Sequence, residues 1–167
     1  MIPKAFMNRA LLVTVCTAMM ICTALATQSS KPLSEKEVTQ KRIRTILKAA
    51  YIDVEFDEDG DLRIEDGGLK TFIRVDTKRK LITYFSIWSM KKSVSDVKKY
   101  RFVNTLNDEV IFVRFTVLRS TRLYCDHQLL YEGGIAPRTI VDNYRLFQKV
   151  TLGAVYAKDP EDIIGSD

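Results

Sequence analysis

Residues 51–90 read YIDVEFDEDGDLRIEDGGLKTFIRVDTKRKLITYFSIWSM, and their pattern is the strongest indication of the fold. Short runs rich in β-branched and aromatic residues alternate with polar turns. The predicted strands are Tyr51–Phe56, Leu62–Glu65, Leu69–Val75 and Leu81–Met90; the predicted turns are Asp57–Asp61, Asp66–Gly68 and Asp76–Arg79. Turns at this spacing are typical of antiparallel hairpins, so the stretch predicts a four-stranded meander.

Helical spacing of apolar residues returns on both sides of the meander. Ser34 and Glu37 form a capping-box pattern, which predicts a helix over residues 35–50. Further along we predict a helix over Ser93–Asn107, strands over Val110–Leu118 and Thr121–Tyr131, and a last helix from Pro137. The sequence therefore predicts one α+β domain, a mainly antiparallel sheet of about six strands with three helices, in the order helix, four strands, helix, two strands, helix.

The N-terminal residues have the layout of a secretory signal peptide. Lys4 and Arg9 precede an uncharged run, Ala10–Ala26, which closes on the small-x-small pattern Ala24-Leu25-Ala26. The predicted organisation is a signal peptide or an uncleaved membrane anchor at 1–26, a linker at 27–34, the folded domain at 35–157 and a loose acidic tail at 158–167. Either reading of the first segment places the domain outside the cytoplasm, in the periplasm or another extracytoplasmic compartment, with membrane contact only through an uncleaved segment.

Charge and cysteine content narrow the function classes. The chain has 26 basic and 21 acidic residues, and cleavage after Ala26 would remove two bases and leave a net charge of 24 − 21 = +3. Such dispersed charge does not predict a nucleic-acid partner. Cys16 and Cys22 lie in the signal segment, so Cys125 alone would remain and the fold is expected to depend on burial rather than on a disulfide.

Several motifs, in order along residues 36–156, resemble the YbjN family. Asp57–Ile64 resembles the turn and strand that open its domain, and Ser86-Ile87-Trp88 resembles the strand before its middle helix. Asn104 and Asn107 match a helix-end pattern of two asparagines three apart, and Gly133-Gly134 matches a glycine pair ahead of the last helix.

The resemblance implies a bacterial sensory transduction regulator with a fold like that of type III secretion chaperones, a non-catalytic protein without a cofactor. Many members of the family lack a signal peptide and work in the cytoplasm, so a cytoplasmic role does not carry over to this chain. From the residues alone, Asn104 and Asn107 are interpreted as helix-end caps, with a binding role as the alternative.

Clusters that suggest metal or catalytic chemistry have simpler explanations. Asp57, Asp59 and Asp61 invite a calcium loop, but Gly60 falls fourth rather than sixth, so a solvated hairpin turn is expected. Cys125 and His127 would share one face of a strand, yet the chain has no second histidine and too few further ligands for a metal site. Phosphate-binding, dinucleotide and nucleophile-elbow patterns do not occur, so no catalytic residue, metal or cofactor is predicted.

Two strands are apolar on both of their faces, Leu81–Met90 and Val110–Leu118. A half-exposed sheet would show one polar face, so both faces of these strands are expected to be covered. The second face is covered either by the chain's own helices or by a protein partner or second copy. In the second case the candidate anchors are Phe72, Tyr84, Trp88 and Phe112, since aromatic residues dominate interface energetics.

The favoured function is therefore an exported, non-catalytic protein-binding or regulatory domain, with a protein partner or a homodimer. The alternative is binding of an envelope surface or a small anionic ligand through Thr77–Lys80 and Lys91-Lys92. Salt dependence separates these two hypotheses, because contacts between exposed charges weaken steeply as salt rises.

Overall fold

The structure, a computed structural model, describes residues 31–157, 159 and 161–165, and the elements below belong to one compact unit, Leu33–Asp167. The predicted signal peptide, residues 1–26, and residues 27–30 of the predicted linker lie outside the described residues. Leu33 is buried and pairs with Ile135. The folded unit therefore begins before residue 35.

The described residues form one antiparallel sheet and three α-helices. The helices are α1 (Gln40–Ala49), α2 (Asp96–Glu109) and α3 (Pro137–Ala157). The strands are β1 (Glu55–Phe56), β2 (Leu62–Asp66), β3 (Leu69–Asp76), β4 (Leu81–Ser89), β5 (Arg114–Leu118) and β6 (Arg122–Leu130). The six strands lie in the order β1-β2-β3-β4-β6-β5, with every neighbouring pair antiparallel. The predicted α+β architecture is confirmed.

The aspartate-rich segment forms the β1–β2 turn as expected. The Asp57 carboxylate accepts hydrogen bonds from the backbone N–H groups of Asp59 (3.0 Å) and Asp61 (2.8 Å). Gly60 adopts φ 82°, a left-handed conformation that glycine reaches without steric cost. Local side-chain and backbone chemistry therefore fixes this turn.

The first predicted helix is wrong at its start. The Glu37 carboxylate accepts from the N–H and hydroxyl of Ser34, but this box caps only a 3-10 turn over Glu35–Glu37. Val38 is then extended and buried, and α1 begins after Thr39, whose hydroxyl accepts from the Arg42 N–H. Val38 is buried in the core with an extended backbone, so the continuous helix predicted over residues 35–50 is interrupted at this residue.

The middle of the chain also departs from the prediction. Helix α2 continues to Glu109, and β5 begins at Arg114 rather than at Val110. Residues 110–113 form a loop, in which Val113 is buried and Ile111 is fully exposed. The apolar run that predicted a longer strand is therefore divided between a loop and β5.

The expectation of a loose tail is wrong for its described residues. Ile163 is buried, and Ile164 pairs with Met90 beside the end of β4. The Asp159 carboxylate accepts from the N–H groups of both isoleucines, and Asp162 pairs with Lys91. Two apolar residues within the acidic segment thus fix it to the domain.

The helices pack on one side of the sheet. The Tyr84 hydroxyl donates to the Ile140 carbonyl of α3 at 3.0 Å, and α1 packs against β3 and α3. Helix α2 packs against β5 at the end of the strand order. Within the described ranges, no helix combines the length and apolar character that crossing a bilayer requires.

Candidate functional site

The sheet has two chemically different faces. Strand register places Ile73, Tyr84 and His127 side by side on the helix-covered face, with Phe72 and Phe85 on the opposite one. We call the opposite side the open face. Its side chains include those of Arg63, Glu65, Lys70, Phe72, Arg74, Thr83, Phe85, Ile87, Arg114, Thr116, Leu118, Arg122, Tyr124, Asp126 and Gln128. Most of these side chains are exposed. Of the two alternatives for the second face, cover by the chain's own helices is therefore not found among the described residues.

An aromatic cluster lies at the centre of the open face. Phe85 stacks on Phe72 with ring centroids 5.2 Å apart and meets Tyr124 at 5.7 Å. The Arg74 guanidinium lies 5.3 Å from the centroid of the Phe85 ring. These neighbours leave Phe85 only 7% exposed, whereas Ile87, two residues along β4, is 41% exposed. The cluster is therefore a small apolar platform that continues into exposed surface.

Two arginine–carboxylate pairs flank this platform. Arg114 donates from Nε and one Nη to the two oxygens of Asp126 at 2.9 and 2.8 Å, and Arg74 binds Asp61 in the same two-point manner. Both carboxylates are buried while both guanidinium groups remain largely exposed. Hydrogen bonding to the carboxylates raises the pKa of each arginine. The buried acids hold the two cations in fixed positions at the surface.

The predicted anchors do not form one surface. Phe72 lies on the open face and is half-buried. Tyr84 is fully buried beneath α3, and burial raises its pKa, so it is a core residue rather than a partner anchor. The reason is register: residues of opposite parity on β4 occupy opposite faces.

The other two predicted anchors lie on the helix side. Trp88 meets Tyr156 near the end of α3 edge-on, at 6.0 Å between ring centroids. Phe112 lies in the loop before β5 and stacks on His127 at 3.8 Å. Both residues are half-buried within the chain's own packing. Of the four predicted anchors, only Phe72 belongs to the open face.

His127 is more enclosed than expected. Its Nδ1 lies 3.1 Å from the Phe112 carbonyl oxygen, and its Nε2 lies 3.1 Å from Oδ1 of Asn143. The Asn143 amide is oriented by its Nδ2, which donates to the Thr139 carbonyl at 2.8 Å. The ring thus joins the 110–113 loop to α3, a positional role.

Cys125 offers no reactive thiol. It is fully buried, and burial raises its pKa to about 12. A thiol in that state is a poor nucleophile and a poor metal ligand at neutral pH. Over the described residues, no group of three or more histidine, cysteine or acidic side chains is arranged to hold a metal ion.

The sequence favoured a helix-capping role for Asn104 and Asn107, and the structure shows that neither residue caps α2. The helix continues past both of them to Glu109. Asn107 instead forms a two-point contact with Phe115 on β5: the Phe115 N–H donates to Oδ1 and Nδ2 donates to the Phe115 carbonyl, both at 2.9 Å. The side-chain amide thereby occupies backbone groups of the edge strand, as a further strand would. Asn104 is exposed and lines a shallow hollow on the outer side of α2.

The glycine pair secures the start of the folded unit. Gly134 has φ 104°, and a Cβ there would lie 2.4 Å from the Leu33 carbonyl oxygen. Gly133 has φ 79°, and its N–H donates to the Glu35 carboxylate at 2.8 Å. The pair therefore permits the close approach by which Leu33 and Ile135 pair.

Sequence reasoning missed Ile87, Tyr124, Arg74 and Arg114 as members of one surface. A signal was present in β3, where Lys70, Phe72 and Arg74 alternate with buried residues. That alternation marks the solvent side of the neighbouring strands once the register is known.

The fold and the open face define a class: a single-sheet α+β domain with helices on one side and a platform of aromatic and charged side chains on the other. Residues 39–155 match the YbjN family, described as "Putative bacterial sensory transduction regulator". The chain belongs to this family. No curated protein matches the sequence.

The solved structures that superpose on this chain are distant from it in sequence. The crystal structure of YbjN from E. coli superposes with a TM-score of 0.67 at 9% identity, covering 80% of this chain and 98% of that one. The Yersinia pestis type III secretion chaperone SycH, in complex with a fragment of YscM2, gives 0.46 at 10% identity and covers 70% and 97%. The HopA1–SchA chaperone–effector complex gives 0.48 at 12% identity and covers 66% and 88%. The first likeness supports the fold alone.

Proposed function

We propose that this chain is an exported, non-catalytic regulatory domain that binds protein through its open face. The observation that carries the proposal is the platform of Phe72, Phe85, Ile87 and Tyr124, which no helix of the described residues covers. Membership of a family of regulators is consistent with this role.

The platform offers binding energy to a partner because its apolar surface is solvent-accessible. Ile87 is 41% exposed, and Leu118 on β5 is 39% exposed on the same face. Burial of apolar surface stabilises a complex by about 25 cal/mol per Å² before ordering costs. The fixed cations of Arg74 and Arg114 would supply orientation, since charged groups at an interface contribute mainly specificity.

A non-catalytic role agrees with the chemistry of the candidate residues. The Cys125 thiol is buried with a raised pKa, and both ring nitrogens of His127 face structural carbonyl oxygens. His127 lines a shallow hollow with Asp126, but both oxygens of the Asp126 carboxylate accept hydrogen bonds from Arg114. A turnover assay that detected activity lost in a His127→Ala variant would contradict this part of the proposal.

The binding surface can be tested with two variants of matched exposure. Ile87 on the open face and Leu146 on the outer side of α3 are 41% and 42% exposed. Immobilised wild-type protein and Leu146→Lys should capture the same polypeptide from an envelope extract, and Ile87→Lys should not. Equal capture by both variants, with both shown to be folded by circular dichroism, would contradict the proposal.

Export is the second element of the proposal and depends on residues 1–26. N-terminal sequencing of the protein isolated from cells tests it directly. A start at Thr27 supports a cleaved signal peptide and an intact Met1 in the membrane fraction supports an anchor. Recovery of the intact chain in the cytoplasm would contradict export.

The alternative of an anionic ligand receives less support from the contacts. Lys80 pairs with Glu35 at 3.3 Å, and Lys91 pairs with Asp162. Arg79 pairs with Asp76 at 3.7 Å. The cations that the sequence offered for anion binding are thus partly neutralised by neighbouring acids.

A further inference from the structure

We propose that the occupant of the open face is a second copy of this chain, held face to face about a two-fold axis. This inference rests on the proposed function of that face and names its partner. The symmetry sets a strict requirement, because an interface between identical copies must be complementary to itself under a two-fold rotation. The open face meets that requirement in both its apolar and its charged groups.

The apolar part lies near the middle of the sheet, where a two-fold axis would pass. Phe72, Phe85, Ile87 and Tyr124 belong to β3, β4 and β6, which are neighbours within the order β1-β2-β3-β4-β6-β5. A rotation about an axis through this platform places it on its own copy. Aromatic and aliphatic side chains would then be buried against each other, as in the core of a two-sheet sandwich.

One corner of the open face is acidic. Glu58 and Asp59, in the β1–β2 turn, line the same shallow hollow as Phe72 and Arg63. Both acids are exposed. The nearby bases Arg63 and Lys70 are partly neutralised by Glu65, at 3.6 and 3.3 Å. Negative charge therefore dominates at this corner.

The diagonally opposite corner is basic. Arg122 lies on the open face at the start of β6, beside Leu118, and Arg119 lies in the β5–β6 turn. Both arginines are exposed. Other charged groups near this corner are paired: Arg114 pairs with Asp126, and Asp96, which accepts from the Ser120 hydroxyl, lies 4.0 Å from Lys99. Positive charge therefore dominates here.

The arrangement of the corners fixes the orientation of the second copy. From the strand spacing and the rise per residue, the acidic and basic turns are separated by about 20 Å across the strands and about 25 Å along them. A two-fold axis in the plane of the interface and perpendicular to this diagonal places each acidic corner over the basic corner of the other copy. The two sheets then cross at roughly a right angle, one of the two preferred geometries for packed sheets.

The size of the surface predicts a reversible dimer. The strands of the open face span roughly 500 Å² per copy by the same spacings, below the ~800 Å² that each partner of a standard stable interface buries. Charge reversal at one corner should therefore have a large relative effect on dimer yield. The β5 edge is an unsuitable alternative contact because Asn107 already binds the Phe115 backbone.

The test uses the full chain expressed in its host in two forms that carry different epitope tags. A photo-crosslinking amino acid replaces Ile87 in one experiment and the equally exposed Leu146 in a control. We expect the Ile87 position to yield an adduct of twice the chain mass that carries both tags, and the Leu146 position to yield at least tenfold less.

Charge variants test the orientation. Glu58→Arg with Asp59→Arg should lower the doubly tagged adduct about tenfold, and so should Arg119→Glu with Arg122→Glu. Combining all four changes in one chain should restore the adduct, because the corners are again opposite in sign. Loss without restoration would overturn the proposed orientation.

The remaining outcomes separate this inference from the proposed function. An Ile87 adduct between one tagged chain and a different polypeptide would show that the open face binds a partner other than a second copy. This result would overturn the inference but still support protein binding by the open face. Absence of any adduct at Ile87, or equal adducts at Ile87 and Leu146, would overturn both.

Discussion

Replacement of Asn107 by alanine should loosen α2 from the edge of the sheet. The change removes two hydrogen bonds, Phe115 N–H to Oδ1 and Nδ2 to the Phe115 carbonyl, each 2.9 Å long. At about 0.5–1.5 kcal/mol per bond, the free energy of unfolding should fall by about 1–3 kcal/mol. The variant also uncovers backbone groups of β5, so self-association through that edge should increase.

Asn104→Ala is a matched control, because it makes the same change on the exposed side of the same helix. Both substitutions gain the same helix propensity, so the difference between the two variants reports the contact with β5. Chemical denaturation measures the difference in free energy, and the thermal midpoint should differ by roughly 4 °C per kcal/mol. Equal stabilities for the two variants would refute the assigned role of Asn107.

Three further predictions concern other parts of the unit. Gly134→Ala should lower the free energy of unfolding by more than Gly133→Ala, because only the former places a Cβ 2.4 Å from the Leu33 carbonyl oxygen. Urea denaturation measures both free energies, and equal losses in the two variants would contradict this prediction. The second variant carries Cys16→Ser and Cys22→Ser, so that Cys125 is its one thiol. Because burial raises the pKa of Cys125 to about 12, this thiol should not react with a thiol reagent at pH 8 until the protein unfolds. Rapid labelling of the native protein would contradict the burial of Cys125. Hydrogen bonds from the Gly133 N–H, and then from Lys80, lower the pKa of Glu35 in the folded protein. The ionised Glu35 side chain should therefore stabilise the fold above about pH 4.3, the pKa of an unperturbed glutamate. This stabilisation should be lost as the pH falls through the lowered pKa of Glu35 in the folded protein. Wild type should therefore lose its advantage over Glu35→Gln on acidification, and a pH-independent difference would be inconsistent with this account.

The meander was predictable because its turns are encoded locally. Asp57 and Gly60 supply the hydrogen-bond acceptor and the left-handed residue within a single turn. The start of α1 was not predictable in the same way. The capping box between Ser34 and Glu37 forms as the sequence predicts, but it caps only a short turn. Burial of Val38, a tertiary effect, ends that turn.

The open face could not be recognised from the sequence because β4 is apolar on both of its faces. Phe85 and Ile87 make its open side look like a second buried face, although the neighbouring strand carries Lys70 and Arg74 on that side. Strand register decides which residues share a face, and register arises from pairing between strands rather than from one strand's own pattern. For the same reason Tyr84 was grouped with Phe72, from which the sheet separates it.

We propose that protein binds to the open face and not to the helices. Hydroxyl-radical footprinting tests this by comparing the protein inside the cells that produce it with the isolated, dilute protein. We expect Phe72 and Tyr124 to be protected in cells, and Tyr100 on α2 and Tyr156 on α3 to be equally oxidised in both states. Protection of Tyr100 or Tyr156 with Phe72 and Tyr124 unchanged would contradict it.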